Sequence, residues 1–106
     1  MDYEQRQAKR KVLKVRAQLT MDGAAPVAAR TLDLSATGVC LNTPSPIKVG
    51  QSGFVTFELY FEAKSTPVAA RCKASYCLLS SGEFKVGFEF VQLDMALMTL
   101  LAKFVR

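Results

Sequence analysis

The sequence contains no histidine. That removes the commonest general base, the commonest metal ligand and every Ser-His or Cys-His nucleophile pair. Cysteine is scarce and odd in number: Cys40, Cys72 and Cys77. None stands in a C-x-x-C spacing, so no metal site and no dithiol redox centre is expected. Cys72 and Cys77 are separated by an odd number of residues, which on a regular strand sends them to opposite faces and keeps them from pairing. Reduced, mostly buried thiols in a cytoplasmic protein are the expectation. No run of about 20 apolar residues exists, so no membrane-spanning helix is expected. The opening residues, Met-Asp-Tyr-Glu-Gln-Arg, lead into no apolar stretch and do not read as a secretory signal. Asp33, Glu58 and Glu62 lack a supporting base, nucleophile or metal constellation. No catalytic residue is assigned, and no enzyme is expected.

What is present suits one small domain. The chain has 106 residues, half of them hydrophobic, which is enough for a packed core and too apolar for global disorder. The net charge of +5 is unevenly placed. Residues 1–16 carry Arg6, Lys9, Arg10, Lys11, Lys14 and Arg16 against Asp2 and Glu4, while the rest of the chain is nearly neutral. A positive arm on a neutral body suits an anionic partner such as phosphate, nucleic acid or an acidic membrane; a solvated tail has the same composition.

Residues 1–11 are polar and charged without an amphipathic face, and read as a flexible arm ahead of a domain at 12–106. From Lys14 the pattern changes. Val15, Ala17, Leu19 and Met21 alternate with polar residues, the period of a half-buried strand. Asp22-Gly23 is a turn pair. Further strands are expected at 27–34, 39–41, 54–61, 68–79 and 84–90, with a turn region at 62–67. On the long fifth segment Val68, Ala70, Cys72, Ala74, Tyr76 and Leu78 are expected to share one face. Asp94 is placed to cap a helix over about 94–106, with Leu97, Leu100, Leu101 and Phe104 as its apolar stripe. Six alternating strands and one helix describe a mainly β protein, a six-stranded antiparallel barrel with a basic N-terminal arm and a C-terminal α-helix.

Two short motifs stand out: Arg6-Gln-Ala-Lys-Arg10, an R-x-x-x-R, and Asp33-Leu-Ser-Ala-Thr-Gly38, a D-x-S-x-x-G. Each alone has a plain structural reading, as a basic tail and as a turn in which Asp and Ser bond to nearby backbone amides and Gly takes positive φ. In this order and context their chance co-occurrence is about one in a thousand. Together with Phe84-Lys-Val-Gly-Phe-Glu-Phe90 and the helix after Asp94, they make the chain resemble the PilZ domain family, receptors for the bacterial second messenger cyclic di-GMP.

The resemblance implies a ligand rather than a cofactor, and it implies roles. Arg6 and Arg10 would grip phosphate oxygens or guanine O6 and N7 through the planar fork that lysine lacks. Asp33 would accept from guanine N1–H and N2–H2. Ser35 would bond to the ligand or hold the turn, and Gly38 would permit the turn and close approach. Weaker candidates are Lys9, Lys11, Gly87 and Arg71. Gly87 is read as marking either a bend or a ligand-side approach. Gln5 lies at a position thought in this family to influence whether one ligand or a ligand pair binds, and glutamine does not decide it. The expected function is a receptor and adaptor. Ligand would pin the arm onto the barrel and create a surface for a separate protein effector of motility, biofilm or polysaccharide machinery. Two rivals predict something else. A small barrel binding single-stranded nucleic acid would need exposed aromatic platforms, for which only Phe54 and Tyr60 are available, so nucleic acid is not expected as a partner. A ligand-independent interaction module of the same fold would have no use for intact motifs.

Overall fold

The computed structural model describes residues 9–106. Seven strands are followed by one helix: β1 (Arg10–Val12), β2 (Arg16–Met21), β3 (Val27–Ser35), β4 (Gly38–Thr43), β5 (Ser52–Phe61), β6 (Lys64–Ser80), β7 (Glu83–Gln92) and α1 (Met95–Phe104). Every pairing is antiparallel. β2 pairs with β3, β3 with β4, β4 with β7, β7 with β6, β6 with β5, and β5 returns to β2. Six strands therefore close on themselves, which leaves no open sheet edge around the wall. The alternating residues supply the interior. Leu19, Leu34, Leu41, Val55, Leu59, Val68 and Val86 are completely buried.

The short β1 lies beside β2 on the same flank of β3, with Arg10 opposite Ser35 and Val12 opposite Asp33. An arm ending at residue 11 was expected; pairing begins at Arg10, so that boundary falls inside a strand. The break between β1 and β2 is closed by the buried hydroxyl of Thr31. Its Oγ1 accepts from the Val15 amide at 2.9 Å and donates to the Leu13 carbonyl. The neighbouring backbone continues the ladder through Leu13 N–H to Leu32 O and Thr31 N–H to Val15 O.

Helix α1 starts where Asp94 accepts from the Leu97 amide at 2.8 Å, an N-cap of the expected kind. Leu101 and Phe104 are buried, and the Phe104 ring meets Phe61 edge-on at 5.6 Å between centroids. The helix thus docks its apolar stripe on the barrel. No helix of the described residues is long and apolar enough to cross a membrane.

Three strand details depart from the sequence expectations. The turn region at 62–67 is tighter than expected: Glu62 and Ala63, both at positive φ, make a two-residue hairpin, and β6 starts at Lys64. Pro67 therefore lies within β6. It is tolerated there because β7 begins to pair with β6 only at Arg71. The shared face expected on β6 holds only as far as Ala74. There the register with β7 slips by one residue at Ser75, whose Oγ donates to the Gly87 carbonyl at 3.0 Å. Beyond this bulge the parity reverses, so Tyr76 and Leu78 face outward, and Leu78 is 56% exposed. The same reversal corrects the cysteine expectation. Cys77 turns toward the core that already contains Cys72, and both remain free thiols.

Candidate functional site

The D-x-S-x-x-G segment forms the β3–β4 hairpin. Ser35 ends β3, Gly38 starts β4, and Ala36-Thr37 is the whole connection. Ser35 is buried, and its Oγ accepts from the amides of Thr37 at 3.2 Å and Gly38 at 3.0 Å. Of its two expected roles, the structure displays the turn-holding one. Gly38 does not take the positive φ expected of it. Its need for glycine is spatial. A Cβ there would stand 2.2 Å from the Phe88 carbonyl oxygen of β7.

Outside the barrel wall, registered pairs build a row across four strands. Asp33 on β3 is opposite Cys40 on β4, Cys40 is opposite Gly87 on β7, and Gly87 is opposite Tyr76 on β6. Directly opposed residues point to the same side of a sheet. This row and the neighbouring hairpin form the floor of an open groove of about 970 Å³. Arg10 enters it from β1 and Lys9 from just ahead of that strand, Glu89 from β7, and Ala102, Val105 and Arg106 from the end of α1.

Tyr76 is the site residue that sequence reasoning missed. Its ring lies over Gly87, where a Cβ would be 2.1 Å from Tyr76 Cε2. The missing side chain of Gly87 makes room for the tyrosine ring. The signal in the sequence was the bare glycine itself, but the bulge at Ser75 that brings the ring across has no sequence signature. The Tyr76 hydroxyl donates to Cys40 Sγ at 3.5 Å. Burial and the adjacent Cys40 thiol push the phenol up to about 12, and burial also raises the Cys40 thiol. At neutral pH both groups hold their protons, so the floor offers an uncharged hydroxyl and thiol beside Asp33.

The sequence candidates sort cleanly. Arg10, Asp33, Ser35, Gly38, Lys9 and Gly87 all line the groove. Arg6 lies outside the described residues, as does Gln5. Lys11 points elsewhere: its Nζ donates to the Phe104 carbonyl at 3.1 Å and stands 5.0 Å above that ring. It complements the helix C-terminus, where a cation is favourable. Arg71 is also withdrawn from the site. It forms a bidentate pair with Asp22, both bonds 2.9 Å, which raises its own pKa and lowers that of Asp22.

A family model described as the PilZ domain matches residues 4–106. The chain belongs to the PilZ domain family. PilZ domains are ligand-binding receptors rather than enzymes. Solved structures agree on the fold. The Bacillus subtilis inhibitor of motility MotI/DgrA superposes with a TM-score of 0.83 at 14% identity, covering 93% of this chain and 48% of that one. The chain thus spans about half the length of MotI/DgrA. The PilZ domain of YcgR from Escherichia coli, solved with c-di-GMP, gives 0.69 at 12% identity, covering 92% of this chain and 86% of that one. PlzA of Borreliella burgdorferi, in complex with c-di-GMP, gives 0.65 at 15% identity, covering 92% of this chain and 40% of that one. No curated protein sequence matches at a significant level.

Proposed function

We propose that this PilZ domain is a receptor for cyclic di-GMP, and that the ligand pins the N-terminal arm to the groove and so presents a surface to a separate protein effector. The observation that carries the reading is the convergence of Arg10, Asp33, Ser35 and Gly38 on one groove beside the hairpin. Two relatives of the same fold are complexes with that ligand.

The chemistry is complementary. The Arg10 guanidinium forks onto a phosphodiester or a guanine edge, and Arg6, four residues earlier, supplies a second fork from the arm. Asp33 accepts from guanine N1–H and N2–H2. Ser35 fixes the hairpin that carries Asp33, and the Tyr76 ring offers an apolar wall against which a base packs. The domain begins at 12 and the arm is 1–11 in this reading; because Arg10 and Lys11 already pair with β3, the ligand acts on the part of the arm ahead of them. Phe54 and Tyr60, the aromatics a nucleic-acid reading would need, lie about 20 Å apart along β5, so they do not make one stacking platform.

Calorimetric titration of cyclic di-GMP, with GTP as control, tests the assignment. Saturable binding is expected, weakened by about 1–3 kcal/mol in Arg10→Ala and in Arg6→Ala, and lost in Asp33→Ala. Equal heats from GTP, or undiminished binding by the arginine variants, would sink it.

A further inference from the structure

One pleat step along the strands from the groove floor lies a second transverse row. Arg16 on β2 is opposite Arg30 on β3, Arg30 is opposite Asn42 on β4, Asn42 is opposite Lys85 on β7, and Lys85 is opposite Leu78 on β6. Register places all five on the outer face, across five neighbouring strands, a span of about 19 Å. Arg16 and Arg30 are exposed and Asn42 and Lys85 half-buried. Among the described residues, none of the three cations takes part in an ion pair. The acidic neighbour, Glu83, lines a shallow groove of about 380 Å³ with Arg16 and Arg30, and its carboxylate accepts from Asn42 Nδ2.

This arrangement works against stability. Like charges directly opposed on antiparallel strands are destabilising, and nothing in the packing of β2 against β3 requires an arginine at either position. An anion between them would reverse the sign. The row ends in Leu78, which is 56% exposed. A basic strip that runs into an apolar end fits a particular chemistry. Polyanions without apolar groups would use only half of it, and the row carries no aromatic platform on which nucleobases could stack.

We propose that this row is a protein-docking face, and that its occupant is an acidic segment of a partner protein whose carboxylates meet Arg16, Arg30 and Lys85 and whose apolar anchor covers Leu78. The assignment does not depend on the cyclic di-GMP reading, because neither Arg16, Arg30 nor Leu78 lines the ligand groove.

The test uses the full chain and a fluorescein-labelled peptide of alternating glutamate and leucine. A peptide with serine in place of leucine and an oligothymidylate of equal charge serve as comparators. The Glu-Leu peptide is expected to bind best. The double variant Arg16→Gln/Arg30→Gln should weaken it about tenfold, and Leu78→Ser should bring it down to the level of the Glu-Ser peptide. The same double variant should melt about 1–5 °C higher than the parent as the like-charge opposition is relieved, which separates loss of the face from loss of the fold. Cyclic di-GMP binding should be unchanged in both variants. Peptide binding insensitive to these substitutions would overturn the proposal. So would an oligothymidylate that binds more tightly than the Glu-Leu peptide.

Discussion

Along β2 and β5 the alternation is unbroken. Ala17, Leu19 and Met21, then Val55, Phe57 and Leu59, point inward, while their neighbours face out. Across the groove the same rule is interrupted three times: the register slips at Leu32 on β3, at Ser75 on β6 and at Val91 on β7. The regular flank holds the interior together and contributes no residue to the larger groove. The irregular flank spends its register to turn Asp33, Cys40 and Tyr76 onto one outer row. Two glycines sit where that flank is tightest, one beneath a carbonyl and one beneath a ring. Strand irregularity here coincides with the groove side of the barrel, and bulges are common near functional sites.

The comparison can be broken from either side. The largest effect is expected on the regular flank, where Leu59→Ala removes a fully buried side chain and should cost about 3 kcal/mol in denaturant unfolding, with cyclic di-GMP affinity of the folded protein unchanged. On the irregular flank, Gly87→Ala forces a methyl against the Tyr76 ring and should cost about 1–3 kcal/mol. With Tyr76→Ala already in place the same change should cost less, a coupling that a double-mutant cycle reads directly. Equal costs in both backgrounds would show that the ring is not what Gly87 accommodates.

Alkaline pH sharpens the contrast by a smaller amount. Tyr76 is raised from 10.0 to about 12 and Cys72 from 9.0 to about 11, both chiefly by burial. An acid whose folded pKa is raised keeps its proton longer in the folded state. Its contribution is intact below the unfolded value and lost as pH rises through the folded one. Melting temperature should therefore decline above about pH 9, and less steeply in Tyr76→Phe than in the parent. The smallest effect belongs to Asp22→Asn. The Arg71–Asp22 pair is exposed, so its removal should leave the melting temperature nearly unchanged, and less so at low salt.

Most of the barrel was legible because period-two patterning is a local signal. Leu19, Val55, Val68 and Val86 are found inside, where their spacing puts them, and Asp94 caps the helix it precedes. The candidate site was legible as far as its motifs are contiguous. Asp33, Ser35 and Gly38 come from one hairpin, and Arg10 from the strand that pairs with it. What could not be read depends on relations between distant strands. Tyr76 reaches the groove only because Ser75 is left without a partner on β7. Arg71 looked like a free outward cation until the fold brought the Asp22 turn beside it. Gly38 reads in the sequence as permitting the turn and a close approach, whereas the clash a side chain would meet there comes from β7, fifty residues downstream.

Thr31 bears on how such a domain could be rebuilt. Its single hydroxyl splices β1 to β2, serving the amide of one residue and the carbonyl of another where the ladder has a gap. The arm is therefore not a detachable tag. A chimera that moves an arginine-bearing segment from one barrel to another must carry a hydroxyl at this buried place on β3, because valine, equal in shape, would strand the Val15 amide and the Leu13 carbonyl without partners. The exchangeable unit is the arm together with β3, which supplies the bridging hydroxyl.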